Sequence, residues 1–352
     1  MAEAAFAIPG DVDAPTGGYA YDRRLLALLP RHGWTVTRLA LPGGFPVPAA
    51  AALAATAAAL ARVPAGRPIL VDGLAYGVLP TALLAGLGRR LVALVHHPLA
   101  RETGLDPERA AALAASEAAA LACAAWVVAT GRTTAASLVA DYGVAAERMT
   151  VAEPGTDPAP RAPGSGGGTP RLLALGALTP RKSYPLLVEA LARLGDAPWT
   201  CHIVGSGDRD PAHAAAIGRA IAAAGLGDRV VLRGALDPAA LAAEWEAADL
   251  FVTASAYEGY GMALAEALKR GLPVVASACD GLVRRVPAPA ATVAPAGDAA
   301  ALAAAIRALI ENPTRRRAAA DGAWVYGQSL PGWDDTAAAV AHALAQVAAP
   351  VA

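Results

Sequence analysis

The chain has 352 residues, a formal net charge of −1 and a pI near 6.6, and charged residues make up only 17% of it. The length is large for one core and sets an expectation of two domains of about 150 to 200 residues. The near-neutral charge excludes a general nucleic-acid binder and a strong electrostatic hold on anionic membranes.

The N-terminus, MAEAAFAIPG, has no basic leader region, and residues 4–8 read as a short strand. The loop after it carries Gly17-Gly18, before Leu25, Leu28 and Leu29 give residues 21–29 a helical spacing. A glycine pair at the first strand-to-helix turn lets a ligand approach the backbone, although a plain flexible turn reads the same way. It belongs to neither a P-loop, which needs Gly-Lys-Ser/Thr, nor the dinucleotide pattern G-x-G-x-x-G. Strands and helices then alternate: WTVTRLAL, helix 48–62, PILVDG, helix 75–88, RLVALV, helix 107–123, AAWVVAT, helix 132–142 and MTVAE. Such alternation implies a parallel sheet covered on both faces. RLVALV ends in His96-His97-Pro98, at the strand end where α/β folds bind ligands. His32, His202, His213 and His342 read as structural, and no third His, Cys or carboxylate is spaced to complete a metal site, so no metal is expected.

Residues 154–170, PGTDPAPRAPGSGGGTP, have the composition of a linker. The expected organisation is a first domain over 1–157, a linker over 158–169 and a second domain over 170–332. The second half opens with RLLALG and ALTPRKSYPLL, leading into helix 185–194. The cations Arg181-Lys182 stand ahead of a helix N-terminus, the wrong end of the dipole, and an anion between them resolves the conflict; a solvated surface pair is the alternative. WTCHIVG follows, then the turn Gly205-Ser206-Gly207, helix 211–224, RVVLRG, the turn Gly234-Ala235-Leu236 and helix 239–248. Residues 250–254 are an apolar strand broken at Glu258-Gly259-Tyr260-Gly261; helix 262–268 comes next, Gly271 and Pro273 stop it, and VVA is a further strand. The chain closes with a short strand near 291–294, helices 298–311 and 314–326, and a last helix that begins at a Trp333 anchor with an Asp cap.

On one continuous helix a step of eight residues would set Glu258 and Glu266 about 80° apart and roughly 12 Å along the axis, too far to share a small ligand. With Glu258 on the loop and Glu266 a turn into the helix, both can face the crevice at the strand ends. The amides of Gly261, Met262 and Ala263 open onto the same place and favour an anion. Acceptors for hydroxyls beside donors for phosphate suit a sugar nucleotide; dipole complementation by Glu258 and solvation of Glu266 are the bland alternatives.

EGYGMALAEALKRGLPVVAS resembles the signature of the retaining glycosyltransferases of family 4, the group 1 type with the GT-B fold. VHHPLARETG resembles the family's segment in which a histidine meets the donor hexose, Pro154-Gly155-Thr156-Asp157 matches its interdomain turn, and the resemblance implies that the last segment, 333–352, crosses back to the first domain. The resemblance implies an α/β fold of two Rossmann-like domains with parallel sheets facing a central cleft. It implies a hexosyltransferase that moves a sugar from a nucleoside-diphosphate sugar to an acceptor, with no metal or other cofactor. Retention in the family is attributed to front-face attack within an ion pair. Glu258 is then given to hexose hydroxyls, Glu266 to the ribose, and His96 or, in the other register, His97 to the sugar. Arg181 and Lys182 go to the diphosphate together with the turn from Gly259 through Tyr260 and Gly261 to Met262. Gly17, Gly18, Gly205, Gly207 and Ala235 line the donor. The family's arginine after the strand-end glycine is Ala177 here, and Arg181 is expected to compensate.

Cys123, Cys201 and Cys279 have no paired spacing, read as buried helix and strand, and point to free thiols in a cytoplasmic protein. No apolar run reaches the ~20 residues of a membrane span, although peripheral contact stays open, as does the choice between monomer and homodimer. The competing readings are a GT-B sugar-nucleotide epimerase or phosphorylase, and a sugar-nucleotide-binding protein without turnover. A dinucleotide-dependent oxidoreductase lacks its glycine fingerprint in both halves.

Overall fold

The computed structural model describes residues 1–102 and 104–348. The chain divides into two compact units, Met1–Gly155 with Pro331–Ala352, and Thr156–Leu330.

The first unit runs β1 (Ala2–Pro9), α1 (Gly17–Leu28), β2 (Trp34–Leu41), α2 (Ala50–Ala61), β3 (Ile69–Asp72), α3 (Gly73–Tyr76), α4 (Thr81–Gly86), β4 (Leu91–Val95), α5 (Pro107–Ala122), β5 (Trp126–Ala129), α6 (Arg132–Tyr142) and β6 (Met149–Val151). All pairings are parallel, in the order β2-β1-β3-β4-β5-β6. The order reverses between β1 and β3, so the loops after these strands diverge and leave a crevice at their C-terminal ends. β3 and β4 are buried at every residue, as central parallel strands must be when both faces are covered.

The second unit holds β7 (Arg171–Leu175), α7 (Tyr184–Ala192), β8 (Thr200–Val204), α8 (Pro211–Ala223), β9 (Val230–Gly234), α9 (Pro238–Ala247), β10 (Leu250–Thr253), α10 (Met262–Lys269), β11 (Val274–Ser277), β12 (Ala291–Ala294), α11 (Ala299–Ile310) and α12 (Pro313–Gln328). Its sheet is also parallel, in the order β12-β11-β10-β7-β8-β9, with the reversal between β7 and β10. Alternate residues feed two cores: Leu172, Leu250 and Val252 face one layer, Leu173 and Phe251 the other. Residues 158–169 hold no helix or strand, but Ala162 N donates to Arg270 O at 2.9 Å and Gly164 N to Glu246 O at 3.0 Å, which tie the segment to this unit.

The last helix, α13 (Trp333–Val347), belongs to the first unit: Thr336 Oγ1 donates to Glu153 O at 2.7 Å, and Trp333 meets the edge of Tyr21. Four helices start on an Asp-Pro or Asn-Pro step, at Asp106, Asp210, Asp237 and Asn312, and each of these side chains accepts an amide one turn on.

Several sequence expectations change. Gly17 and Gly18 are not loop residues but the first turn of α1, because the Thr16 hydroxyl caps that helix by accepting Tyr19 N. The expected helix 75–88 is two short pieces, since Pro80 cannot continue α3 and instead opens α4. Cys123 is exposed at the end of α5, while Cys201 and Cys279 are buried. The residue capping α13 is Gly332 rather than an Asp, and Asp335 reaches back to accept Gly332 N at 2.9 Å.

Candidate functional site

At the reversal point of the second sheet, the loops after β7 and β10 meet. Lys182 Nζ lies 2.6 Å from Glu258 Oε1, and Arg181 Nη1 lies 3.2 Å from Glu258 Oε2. Ser255 Oγ donates to Glu258 Oε1 at 2.8 Å, and Arg181 also donates to Tyr257 O at 2.8 Å. Ala256 N donates to Arg181 O at 2.9 Å, which joins the two loops through their backbones. Burial alone would raise the Glu258 carboxyl; the charges of Lys182 and Arg181, with the hydrogen bonds from Lys182 and Ser255, outweigh it and hold the group down at about 2. The anion that the sequence left open between Arg181 and Lys182 is therefore, within this unit, Glu258 itself.

The local backbone explains the approach. A side chain at Gly176 would place its Cβ 2.6 Å from Lys182 Cε, so the glycine at the end of β7 clears the path of the lysine. Tyr184 donates to Gly176 O at 2.7 Å and fixes that strand end. Ser183, with φ of 48°, is the one non-glycine residue in the left-handed region among the described residues, and it turns the chain from Lys182 into α7. Gly261, with φ of 101°, caps α10 and aims the amides of its first turn at the same cleft. That cleft is lined by Lys182, Glu258, Tyr260, Gly261 and Asp280, among others. Gly259 lies in the turn, and Met262 begins the helix.

Other expected residues have different surroundings. Glu266 does not line this cleft; it is half-buried, one turn into α10, where its charge and that of Asp157 oppose the lowering of Arg270 by burial. Gly205 packs the strand ends together: a Cβ there would lie 2.0 Å from Gly176 O, and a Cβ at Gly207 would lie 2.8 Å from that of Ala214. Ala235 is exposed just past β9. A larger open groove, bordered by Arg193, Ala303 and Arg307, holds one carboxylate, Glu311, already paired with Arg307 at 3.0 Å, and it offers no chemistry.

In the first unit, His96 at the end of β4 faces Gly18: a Cβ on the glycine would sit 3.4 Å from the ring. His96 Nε2 lies 3.5 Å from Asp22 Oδ1 and 3.3 Å from Asp72 Oδ2, distances of an ion pair without the alignment of a hydrogen bond. The expectation that no carboxylate completes a set around a histidine is thus corrected, because the parallel order of β1, β3 and β4 brings Asp22 and Asp72 to it. These three residues could take a cation, their ligand atoms all lying within 4.8 Å of one another. With protons as the only cations, burial works against charge on His96, and the two carboxylates outweigh it and push the imidazole up to about 10. Burial, then the charge of Asp72, pushes Asp22 up to about 7. His97 instead points to Glu102, at 3.5 Å. Beneath the same loop, buried Glu117 accepts Leu99 N at 2.8 Å, and burial pushes its carboxyl up to about 7.

Sequence reasoning missed Asp22, Asp72, Ser255, Gly176 and Glu117. Asp72 had a signal, a lone acid ending the apolar strand ILVD. Asp22 lies one helical turn after Gly18, a spacing that matters only once α1 is known to begin at Gly17.

Known proteins resemble both halves of the chain. Residues 16–160 match the family described as Glycosyltransferase Family 4, and residues 169–312 match Glycosyl transferases group 1. A D-inositol 3-phosphate glycosyltransferase of Catenulispora acidiphila is 31% identical over 66% of this chain and 60% of its own. A phosphatidyl-myo-inositol mannosyltransferase of Mycobacterium leprae is 36% identical over 41% of this chain and 38% of its own. The curated relatives are matched over 27% to 60% of their length. Among solved structures, the sucrose-phosphate synthase of Thermosynechococcus elongatus has a TM-score of 0.81 at 22% identity, covering 97% of this chain and 98% of its own. The Anabaena protein HepE, solved with UDP and glucose, has a TM-score of 0.74 at 20% identity over 97% and 99%. The fold is GT-B, two Rossmann-like domains, and the chain belongs to the family 4 glycosyltransferases of the group 1 type.

Proposed function

We propose that the chain moves a hexose from a nucleoside-diphosphate sugar to a hydroxyl acceptor, with retention and without a metal clamp on the diphosphate. The observation that carries this reading is the meeting of Lys182, Arg181 and Glu258 at a sheet reversal point beside the N-terminus of α10. In glycosyl transfer the bond from the anomeric carbon to the diphosphate breaks, a bond to the acceptor oxygen forms, and the acceptor proton passes to the departing phosphate. The charge that develops on the diphosphate needs donors fixed beforehand. Lys182 has three N–H donors and the Glu258 contact takes one, so the ammonium can hold Glu258 and a phosphate oxygen together.

Glu258, held ionised, has lone pairs left for hexose hydroxyls. The family pattern gives Glu266 the ribose hydroxyls and His96 the hexose contact, and this reading keeps both. The amides of the first turn of α10 share the phosphate charge. The relatives named as acting on inositol compounds support a polyol acceptor class. Among the described residues no helix is long and apolar enough to cross a membrane. A cytoplasmic reaction is the further part of the proposal, and the free thiols of Cys123, Cys201 and Cys279 support it. The test is a nucleoside-diphosphate release screen over several sugar nucleotides, repeated with crude acceptor pools. Acceptor-stimulated release from one donor supports the reading; no release from any donor under any pool contradicts it.

A further inference from the structure

Below the His96 loop the first unit buries two carboxyl groups, those of Asp22 and Asp72. Asp22 is fully buried, and the contact nearest its carboxylate, His96 Nε2 at 3.5 Å, lacks the alignment of a full hydrogen bond. A buried carboxylate with no donor is costly unless a cation satisfies it. Asp72 is almost as buried; its Oδ1 already accepts Leu74 N at 2.7 Å, which leaves Oδ2 turned to His96.

Around His96 the two contacts are 3.3 and 3.5 Å, longer than the 2.6 Å between His202 and Glu244 and close to the 3.2 and 3.5 Å of His32 with Asp334 and His97 with Glu102. The lengths are also near the roughly 3.3–3.4 Å ligand-to-ligand edge of a tetrahedron around an ion with bonds of about 2.0–2.1 Å, and the third pair, Asp22 with Asp72, lies within 4.8 Å.

We propose that Asp22, Asp72 and His96 form a binding site for a divalent transition-metal ion of zinc-like size and geometry. The ligands come from the first turns of α1 and from the ends of β3 and β4, and the backbone bond from Leu74 orients one of them as an outer partner does in metal sites. One imidazole and two carboxylates suit zinc, with manganese next in line. The ion would pin Gly17 and Gly18 against the strand ends and fix the His96 ring through Nε2, leaving its partly exposed edge to a ligand. This site is separate from the diphosphate cations, and the proposal does not depend on glycosyl transfer.

The test uses the full chain freed of metal by chelator, titrated with Zn²⁺ alone and, in parallel, with Co²⁺ as a visible reporter. The expected result is one equivalent bound per chain, with the visible absorption of four-coordinate Co²⁺, and affinity lowered at least ~10-fold in Asp22→Asn and in His96→Gln. Circular dichroism checks that each variant is folded. Absence of stoichiometric binding by the wild-type chain overturns the proposal whatever the variants do. Binding that folded variants leave unchanged overturns it as well, since the ion then sits elsewhere.

Discussion

Lys182 and Glu258 stand 76 residues apart in sequence, and their charged atoms lie 2.6 Å apart. The pair joins the two loops at the reversal point of the second sheet. In the proposed reaction it also presets the lysine: the ammonium is held in place before the diphosphate arrives, so less ordering is required on binding.

Arg181 is expected to supply the second cation that the family carries at the position of Ala177. Arg181→Ala removes the contacts to Glu258 and Tyr257 O. Donor affinity should fall by about 10-fold, the scale of one hydrogen bond to a charged group. Calorimetric titration with the sugar nucleotide checks this, and wild-type affinity together with wild-type turnover would remove Arg181 from the site.

Acid should unlock the same cluster. The ordinary value of the Glu258 carboxyl is 4.5, and the folded chain holds it at about 2. The stabilisation is therefore complete above about 4.5 and is lost as pH falls toward 2, with a ceiling of about 3 kcal/mol. Urea unfolding of wild type and Glu258→Gln should show a gap that is widest near neutral pH and narrows below 4.5. A gap that does not change with pH contradicts the pairing.

Glu117 runs the other way. Its folded value of about 7 lies above the ordinary 4.5, so the folded chain keeps a proton that the unfolded chain releases. Stability from this group is complete below 4.5 and is lost as pH rises through about 7. Glu117→Gln keeps an acceptor for Leu99 N and should stabilise the protein by about 1–2 kcal/mol at pH 8, with little effect at pH 4. Melting curves at the two values decide it.

Glu266→Ala tests the ribose assignment. Loss of two charge-assisted hydrogen bonds should weaken donor binding by about 100-fold while circular dichroism stays unchanged. Unaltered affinity removes Glu266 from the donor site and leaves it as a partner of Arg270.

Much of this was legible in the chain. The alternation of short apolar runs with helical stretches gives two parallel sheets, and the turn around Glu258 with the basic pair at 181 and 182 marks one strand-end crevice. What escaped depends on sheet order and on contacts across many residues. The spacing of Asp22, Asp72 and His96 along the chain says nothing of their meeting; that follows from β1, β3 and β4 lying side by side. The role of Lys182 as partner of Glu258 escaped because a cation beside a helix start reads as a phosphate ligand until the fold supplies a nearer carboxylate. Gly17 and Gly18 read as a loop because glycine has poor helix propensity, and the Thr16 cap outweighs it. Pro80 was a visible stop that the run of apolar residues around it obscured.

The central claim is that Lys182, held by Glu258, receives the departing diphosphate. Single-turnover release of nucleoside diphosphate by wild type and Lys182→Ala, at saturating donor, measures it most directly. The rate constant should fall by about 10²–10³, the scale for removing one fixed donor to a developing anion. A rate within about 2-fold of wild type, from a variant that still binds donor, would contradict it.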